Sequence, residues 1–194
     1  LGKTIDSINM KCHDLRYHID TYRRAQQLDE HAAFFDEVEQ EIQRYEYTFH
    51  TGNAALDSVL SEKSLYCSAN HILLTTMLDV SLLAPIEKSD IYSIFGNALD
   101  NALEGCNKVT DHEKRVISLK ANAMNGMVVL HVENSYEAPL NMVDDMPVTT
   151  KAGTGHGFGL RSIQAIAEKY DGIATVVAEN GIFKLTVVLH PPAG

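Results

Sequence analysis

The sequence predicts an α+β protein in which an N-terminal helical hairpin precedes a two-layer α/β sandwich. Residues 1–60 contain no proline and only two glycines, and their apolar residues recur at alternating spacings of three and four. This period is typical of long helices that pack lengthwise on partners. From about residue 60 onward, strand-like and helical runs follow each other, which indicates one mixed sheet with helices on a single face. We therefore expect a helical domain at 1–60 and an α/β domain at 61–194.

The N-terminal segment reads as two helices separated by a break near residues 28–31. The apolar positions of the first helix follow a 3-4-3-4-3 spacing, and they are Ile5, Ile8, Cys12, Leu15, Ile19 and Tyr22. Those of the second helix follow a 4-3-4 spacing, and they are Val38, Ile42, Tyr45 and Phe49. A hairpin of two such helices cannot bury its apolar faces alone, whereas two copies can form a four-helix bundle. We therefore expect a homodimer through residues 1–60.

The second domain is predicted to contain about five strands and three helices. The predicted helices cover residues 56–68, 91–108 and the segment that follows Gly159. The predicted strands are 71–80, 115–123, 127–135, 173–179 and 182–190. Asn125-Gly126 and Asn180-Gly181 fall between consecutive strands, and this dipeptide is the strongest short hairpin signal.

The composition excludes several classes of function. The chain has 194 residues and a net charge of −10, with 26 acidic residues against 16 Lys and Arg, which argues against nucleic-acid binding. Its three cysteines lack metal-ligand spacing and fit a reducing compartment. No apolar run approaches the roughly 20 residues of a membrane-spanning helix, so we expect no membrane contact by this segment.

The predicted helix at 91–108 carries an unusual polar face. Its apolar positions share one broad side, and they are Ile91, Phe95, Ala98, Leu99 and Ala102. The opposite side carries Asn97, Asn101, Glu104 and Lys108 at spacings of 4, 3 and 4. Asn forms helices poorly, and Lys or Glu would solvate that side at less cost. An ordinary solvated face is the alternative to a binding role.

A glycine-rich loop precedes another amphipathic helix downstream. Gly153, Gly155, Gly157 and Gly159 alternate, and the helix that follows is expected to end at a C-cap glycine, Gly172. Such a loop lets backbone N–H groups at a helix N-terminus approach phosphates. It has neither the Lys-Ser/Thr ending of a P-loop nor the preceding strand of a dinucleotide fingerprint.

Together, the Asn-bearing helix and the run from Gly155 to Leu160 about 50 residues later resemble the N box and glycine box of the GHKL ATP-binding superfamily, which includes gyrases, heat-shock chaperones and histidine kinases. The resemblance covers about residues 60–190. It implies that ATP and Mg²⁺ bind this domain, with Asn101 as the metal ligand. The residues it implies around the phosphates are Gly155, His156, Gly157, Gly159 and Leu160.

Two further positions bear on the reaction. Asn97 stands where the water-activating members carry a general base, and an amide cannot abstract a proton, which favours phosphoryl transfer to a protein group. Asn134 stands where the superfamily reads adenine with an Asp, and the glycines that follow that Asp are missing here. An amide oxygen can still accept a hydrogen bond from the adenine amino group, without the assistance of charge, so we expect modest ATP affinity.

For three charged residues a role in the ATP site and an ordinary surface role are equally consistent with the sequence. Glu104 and Lys108 either contact phosphate or metal or form an i,i+4 salt bridge with each other. Lys151 lies in the long stretch from Tyr136 to His156, which has no clear periodicity and would form the lid over ATP. It is either a phosphate contact or a solvated lysine.

The run from His13 to His18 resembles the phosphoacceptor box of sensor histidine kinases, and residues 51–63 resemble the connector of the Agr-like, peptide-sensing (quorum-sensing) subfamily. The resemblance implies that His13 is phosphorylated and that Asp14 orients its ring or takes its proton. It assigns His18 mainly to bundle packing. It further implies a response regulator as partner, of LytTR type in many relatives, and a cytoplasmic location within a membrane-anchored sensor.

Two other functions stay open at this stage. A dimeric pseudokinase or phosphotransfer scaffold would explain the missing adenine-reading Asp. A GHKL serine kinase acting as an anti-sigma factor would lack the acceptor-histidine bundle that residues 1–60 predict.

Overall fold

A computed structural model describes residues 48–81, 83–137, 141–143, 146–148 and 158–192. The chain divides into two compact units, Leu1–Phe49 and His50–Gly194. The predicted helical hairpin, with His13, Asp14 and His18, lies outside the described residues. Across the part of the chain that is described, no helix combines the length and the hydropathy needed to cross a bilayer.

The second unit contains the predicted helices and strands. Its helices are α1 (Ala54–Ala69), α2 (Lys88–Asn107) and α3 (Phe158–Lys169), with a short 3₁₀ turn at His112–Lys114. Its strands are β1 (Leu73–Leu78), β2 (Val116–Met124), β3 (Met127–Ser135), β4 (Asn141–Val143), β5 (Met146–Val148), β6 (Ile173–Glu179) and β7 (Ile182–Leu189). Three helices and the five expected strands are thus confirmed, and β4 and β5 are additional.

The main sheet is mixed and has the strand order β1-β2-β3-β7-β6. β1 and β2 are parallel and are joined through α2, whereas the other neighbours are antiparallel. Both predicted Asn-Gly hairpins are present. Asn125 and Gly126 have φ of 52° and 79°, and Asn180 and Gly181 have φ of 52° and 77°. Positive φ at both central residues matches the right-handed twist of the paired strands.

The helices cover one face of this sheet. Alternate residues of the three central strands are buried on that face, and they include Ile117, Leu119, Leu130, Val132, Leu185 and Val187. α2 occupies the middle of the helical layer, where it contacts α1, α3 and β3. Every apolar position predicted for its buried side is at most 3% exposed. The other face of the sheet carries polar cross-strand pairs such as Glu133–Lys184, whose charged atoms are 3.0 Å apart.

The start of α1 is fixed by a local cap. Asn53 Oδ1 accepts a hydrogen bond from Leu56 N at 3.2 Å. Asp57 Oδ1 accepts from both the backbone N and the hydroxyl of Thr51 at 2.7 Å. The bond from Leu56 N satisfies one of the backbone donors that a helix N-terminus leaves free, and the bonds from Thr51 hold the preceding residues against the first turn.

The C-cap expected at Gly172 is present as a backbone hydrogen bond, but the left-handed conformation typical of such caps occurs at the preceding residue. The residue with positive φ is Asp171, at 48°. Gly172 N donates to Ala167 O at 2.8 Å and Asp171 N donates to Glu168 O at 3.1 Å, which is the hydrogen-bond pattern of a Schellman motif. Gly172 is needed for a different reason, because a Cβ at this position would overlap the carbonyl oxygen of Val188 on β7.

The stretch from Tyr136 to His156, expected to lack regular structure, contains a short antiparallel pair formed by β4 and β5. Strands of three residues are too short to produce a readable alternation of apolar and polar residues, so no pattern in the sequence predicts them. Residues 138–140, 144–145 and 149–157, which include Lys151, Gly155, His156 and Gly157, lie outside the described residues.

Candidate functional site

The site lies where the first turn of α3 meets the polar side of α2. Gly159 was expected in a loop, but it is the second residue of α3. A Cβ added at Gly159 would be 3.4 Å from Asn97 Oδ1 and 3.6 Å from Asn101 Oδ1. Two amide oxygens of α2 therefore converge on the N-terminal end of α3, and only a glycine leaves the space between them open.

Hydrogen bonds along the α2–α3 contact orient these amides. Ser93 Oγ and Ser162 Oγ are 3.3 Å apart, and they join the two helices. Asn97 Nδ2 donates to Ser93 Oγ at 3.3 Å, so its oxygen is the atom left for the site. Asn101 Nδ2 is buried and has no hydrogen-bond partner among the described residues. A buried donor without a partner is costly, which makes Asn101 a candidate for a ligand contact.

Asn134 forms the second part of the site, near the end of β3. Its side chain is 3% exposed, and its Nδ2 donates to the carbonyl oxygen of Ser135 at 2.9 Å. Asn134 Oδ1 is buried and has no partner in the described part of the chain. Gly105 of α2 lies directly against this amide, because a Cβ at Gly105 would overlap Asn134 Nδ2. The buried oxygen is therefore an acceptor without a donor.

Glu104 and Lys108 form the i,i+4 ion pair that was one of the two alternatives for them. Lys108 Nζ lies 3.0 Å from Glu104 Oε1. Both residues line a groove of about 680 Å³ between α1 and α2. A second pair, Lys63 with Asp100 at 2.8 Å, crosses the same groove. Glu104 and Lys108 therefore face α1. Asn97 and Asn101, which precede them on the same predicted polar face of α2, face α3.

A partly buried polar cluster joins the start of α2 to the end of α3. Asp90 Oδ2 accepts from Lys169 Nζ at 2.7 Å and from the Tyr170 hydroxyl at 2.8 Å. The same hydroxyl accepts from Glu87 N at 3.0 Å. Burial by itself would raise the pKa of Asp90, but the hydrogen bonds from Lys169 and Tyr170 and the ammonium charge together lower this pKa. The cluster, which the sequence did not reveal, holds α3 against α2.

The described donor set suits a hard cation only together with a ligand. Among the described residues no group of three or more His, Cys, Asp or Glu is placed to hold a metal ion. Carbonyl-type oxygens are nevertheless ligands that Mg²⁺ accepts, commonly alongside substrate phosphates. Asn97 and Asn101 offer two such oxygens beside a helix N-terminus, where phosphate is favoured. The two buried amide atoms without partners add an open donor and an open acceptor, so these residues fit Mg²⁺-ATP.

Comparison with known families identifies the domain. Residues 86–190 match the model of the GHKL domain family, and this match spans more than half of the chain. The chain therefore belongs to the GHKL domain family. No curated protein matches it at a significant level.

Solved histidine kinases share the fold. The nucleotide-free catalytic domain of histidine kinase ThkA matches 72% of this chain and 91% of its own, with 18% identity and a TM-score of 0.55. The Acinetobacter baumannii histidine kinase AdeS matches 98% of this chain and 97% of its own, with 13% identity and a TM-score of 0.53. Full-length ShkA in complex with AMPPNP matches 97% of this chain and 47% of its own, at 13% identity and a TM-score of 0.50. Because the sequence identities are this low, these matches show a common fold alone.

Seven of the predicted ATP-site residues lie in the described part of the chain, and they are Asn97, Asn101, Glu104, Lys108, Asn134, Gly159 and Leu160, the last of which is in the first turn of α3. Asn97, Asn101 and Gly159 come together. Asn134 contacts α2 at Gly105, which is four residues after Asn101 on this helix. The contact at Gly105 was not foreseen, because a helix-interior glycine gives no sign of which neighbour requires it.

Proposed function

We propose that the chain is the catalytic core of a sensor histidine kinase, which binds Mg²⁺-ATP, phosphorylates its own His13 and passes the phosphoryl group to an Asp of a response regulator. The observation that carries the nucleotide part is a pair of buried amide atoms that have no partner in the described part of the chain, Asn134 Oδ1 and Asn101 Nδ2. Native domains satisfy nearly all buried polar atoms, and a bound nucleotide would satisfy both.

Each residue of the site has a role in this proposal. Asn134 Oδ1 accepts a hydrogen bond from the exocyclic amino group of adenine. Asn101 supplies its oxygen to Mg²⁺, and the N-terminal turn of α3 at Gly159 and Leu160 donates backbone N–H groups to the phosphates. When bound, Mg²⁺ neutralises charge on the triphosphate. Asn97 completes the oxygen pair and, as an amide, activates no water, which disfavours ATP hydrolysis.

The acceptor belongs to the N-terminal segment. A neutral imidazole nitrogen of His13 attacks the γ-phosphorus, a P–N bond forms, and the bond to the oxygen that bridges the β- and γ-phosphates breaks to release ADP. Asp14 orients the ring or takes its proton. Lys151 and the loop residues Gly155, His156 and Gly157 are proposed to close over the phosphates, and this assignment rests on the motif resemblance.

The motif order supports a finer proposal about subfamily and partners. The acceptor box, the connector at residues 51–63, the N box and the glycine box occur in the order found in Agr-like, peptide-sensing kinases. On this basis we propose a homodimer through residues 1–60 and a response regulator, of the LytTR type in many relatives. The domain would lie on the cytoplasmic side of a membrane-anchored sensor.

Label transfer from γ-labelled ATP with Mg²⁺ tests the proposal. Wild type and His18→Gln should acquire acid-labile label, and His13→Gln should not, because only His13 is the nucleophile. Equal labelling of wild type and His13→Gln would move the acceptor elsewhere. No label together with no ATP binding would favour the scaffold, and phosphoserine on a partner with His13 dispensable would favour a serine kinase.

A further inference from the structure

We propose that Gly105 is a positioning residue that fixes the orientation of the Asn134 amide and thereby makes the site select adenine over guanine. This inference rests on the proposed nucleotide-binding function. It concerns one contact between α2 and the end of β3, in which Asn134 Nδ2 occupies the space that any side chain at position 105 would need.

A carboxamide at the base-reading position is ambiguous by itself. Its oxygen accepts and its nitrogen donates, so an amide that is free to rotate could read either the exocyclic amino group of adenine or the exocyclic carbonyl of guanine. A carboxylate only accepts and has no such ambiguity. Asn134 therefore specifies a purine only if something holds its amide in one of the two orientations.

The structure contains the element that holds it. Asn134 Nδ2 donates to Ser135 O at 2.9 Å, which leaves Oδ1 as the atom without a partner among the described residues. Turning the amide over would place Oδ1 against the Ser135 carbonyl oxygen, and two acceptors would then face each other. The unpartnered position would present a donor instead, which suits guanine.

The Ser135 carbonyl is itself held in place. Ser135 Oγ accepts from Val116 N at 3.1 Å, and it lies 3.5 Å from Cys106 Sγ. The Cys106 thiol also lies 3.7 Å from Ser135 O. Cys106 is fully buried and follows Gly105 on α2, so the same helix that leaves room for the amide also contacts the carbonyl that binds it.

A Cβ at Gly105 would act on this arrangement directly. It would overlap Asn134 Nδ2, and it would lie 3.4 Å from Asn134 Cγ and 3.6 Å from Ser135 O. The amide would have to rotate or shift away, and its bond to Ser135 would be lost. Glycine weakens a helix interior relative to alanine, and at position 105 the space for a Cβ is already occupied by the Asn134 amide, so a steric need accounts for glycine here.

The chain offers a matched control on the same helix. Gly96 also lies within α2, and a Cβ added there would have no atom of another described segment within 4 Å. Gly96→Ala therefore reports the effect of alanine on the helix, and Gly105→Ala reports that effect together with displacement of the amide.

The test is titration calorimetry of the whole chain with Mg²⁺-ATP and with Mg²⁺-GTP. Wild type and Gly96→Ala should bind ATP at least about tenfold more tightly than GTP, because GTP would leave buried acceptors facing each other. Gly105→Ala should bind ATP on the order of tenfold more weakly and should bring the two affinities close together. A merely structural role for Gly105 would weaken both nucleotides equally and leave their ratio unchanged, which would overturn the inference.

The failures of the two proposals are distinguishable. Wild-type protein that binds both nucleotides equally contradicts the fixed amide but retains a nucleotide site, whereas wild-type protein that binds neither contradicts both proposals. If Gly105→Ala does not fold, hydrogen exchange of the Asn134 side-chain amide in wild-type protein decides the matter. A proton bonded to Ser135 O should exchange slowly without nucleotide, and exchange as fast as that of an exposed Asn would overturn the inference.

Discussion

Two buried amide atoms that have no partner among the described residues lie along one side of α2, and each of them lowers the stability of the folded domain. An unsatisfied buried polar atom costs about 1–3 kcal/mol. Asn101 Nδ2 and Asn134 Oδ1 both belong to this class within the described residues. A domain that keeps two such atoms in one region gains the corresponding energy only when a ligand supplies the missing partners, so the same atoms lower stability and favour binding.

Asn134→Leu should separate these two effects. Leucine has nearly the same shape as asparagine. It removes the unsatisfied oxygen, which stabilises the fold, and it also removes the hydrogen bond to Ser135 O, which costs a similar amount, so we expect the free energy of unfolding without ligand to change by less than about 1 kcal/mol. Affinity for ATP should fall by on the order of tenfold or more. Thermal unfolding and calorimetry measure the two effects, and a less stable variant with wild-type ATP affinity would contradict both expectations.

Gly159→Ala tests the space between the two amide oxygens of α2. The added methyl would be in ordinary contact with them, at 3.4 Å and 3.6 Å, so the fold should persist and α3 should gain about 0.5–1 kcal/mol of helix stability. Binding of Mg²⁺-ATP should weaken, because the methyl occupies the place proposed for metal and phosphate.

Urea unfolding and nucleotide titration should be run on Gly159→Ala beside Gly96→Ala, which gains helix stability without touching the site. Unchanged affinity in both variants would remove Gly159 from the phosphate site.

At the scale of elements, α2 and α3 are joined by the cluster of Asp90, Lys169 and Tyr170. Tyr170 is 7% exposed, and its hydroxyl bonds both the Asp90 carboxylate and the backbone of Glu87. This cluster lies at the C-terminal end of α3, and the Gly159 contact lies at its N-terminal end. The cluster therefore fixes the angle at which the phosphate-facing turn of α3 approaches α2.

The stability that this cluster provides should depend on pH in a defined direction. The pKa of Asp90 is lowered in the folded state, so its contribution is fully present above the unfolded pKa of about 3.9 and is lost as the pH falls through the lower folded value. Asp90→Asn should therefore cost about 1–3 kcal/mol near neutral pH and progressively less below about pH 4. Denaturant unfolding of both proteins from pH 3 to pH 7 measures this difference, and a constant difference would contradict the assignment.

The end of α3 offers a stabilising substitution. Asp171 holds a left-handed conformation, with φ of 48°, which costs a non-glycine residue about 1–2 kcal/mol. Asp171→Gly should recover roughly 1 kcal/mol, since its backbone bonds do not depend on the side chain. Gly172→Ala, one residue later, should instead destabilise the protein strongly, because its methyl would overlap the Val188 carbonyl. Equal effects of the two substitutions would contradict the assigned roles, and chemical unfolding of both variants decides.

Local signals account for the elements that the sequence predicted well. β3 and β6 have the predicted bounds, since Asn-Gly turns mark the adjacent strand ends and both dipeptides adopt positive φ. The apolar side of α2 was readable from its period, and all five predicted positions are buried. Period and turn chemistry are properties of neighbouring residues, so they are visible without any tertiary information.

Features that depend on contacts between distant segments could not be read. Gly105 touches Asn134, Asp90 touches Tyr170, and Ser93 meets Ser162, and no spacing in the sequence connects the members of these pairs. The left-handed residue at the end of α3 is Asp171, whereas the requirement for glycine at position 172 arises from the contact with β7, and this contact could not be read from the sequence either. Motif resemblance indicated which residues form the site, whereas their orientation follows from packing.

At the scale of the whole molecule, all described residues of the proposed ATP site belong to the unit His50–Gly194. This unit starts just before the N-terminal cap of α1. Its sheet, three helices and turns contain their own core, including residues of α1 such as Leu56 and Leu60 that are fully buried. Proposed phosphorylation and dimerisation, in contrast, rest on residues 1–60. The two activities should therefore be separable by cutting the chain before α1.

A fragment of residues 50–194 should fold and bind Mg²⁺-ATP with an affinity within about threefold of the whole chain, since every described contact of the site lies inside it. It should be monomeric by light scattering, and it should acquire no label from γ-labelled ATP because His13 is missing. The whole chain should be dimeric and labelled, and the whole-chain variant His13→Gln should be dimeric and unlabelled, which separates loss of the acceptor from loss of the bundle. A labelled fragment would place the acceptor in the α/β domain, and a dimeric fragment would place the dimer contact there. Each result would contradict one part of the proposal and would leave the proposed nucleotide site unaffected.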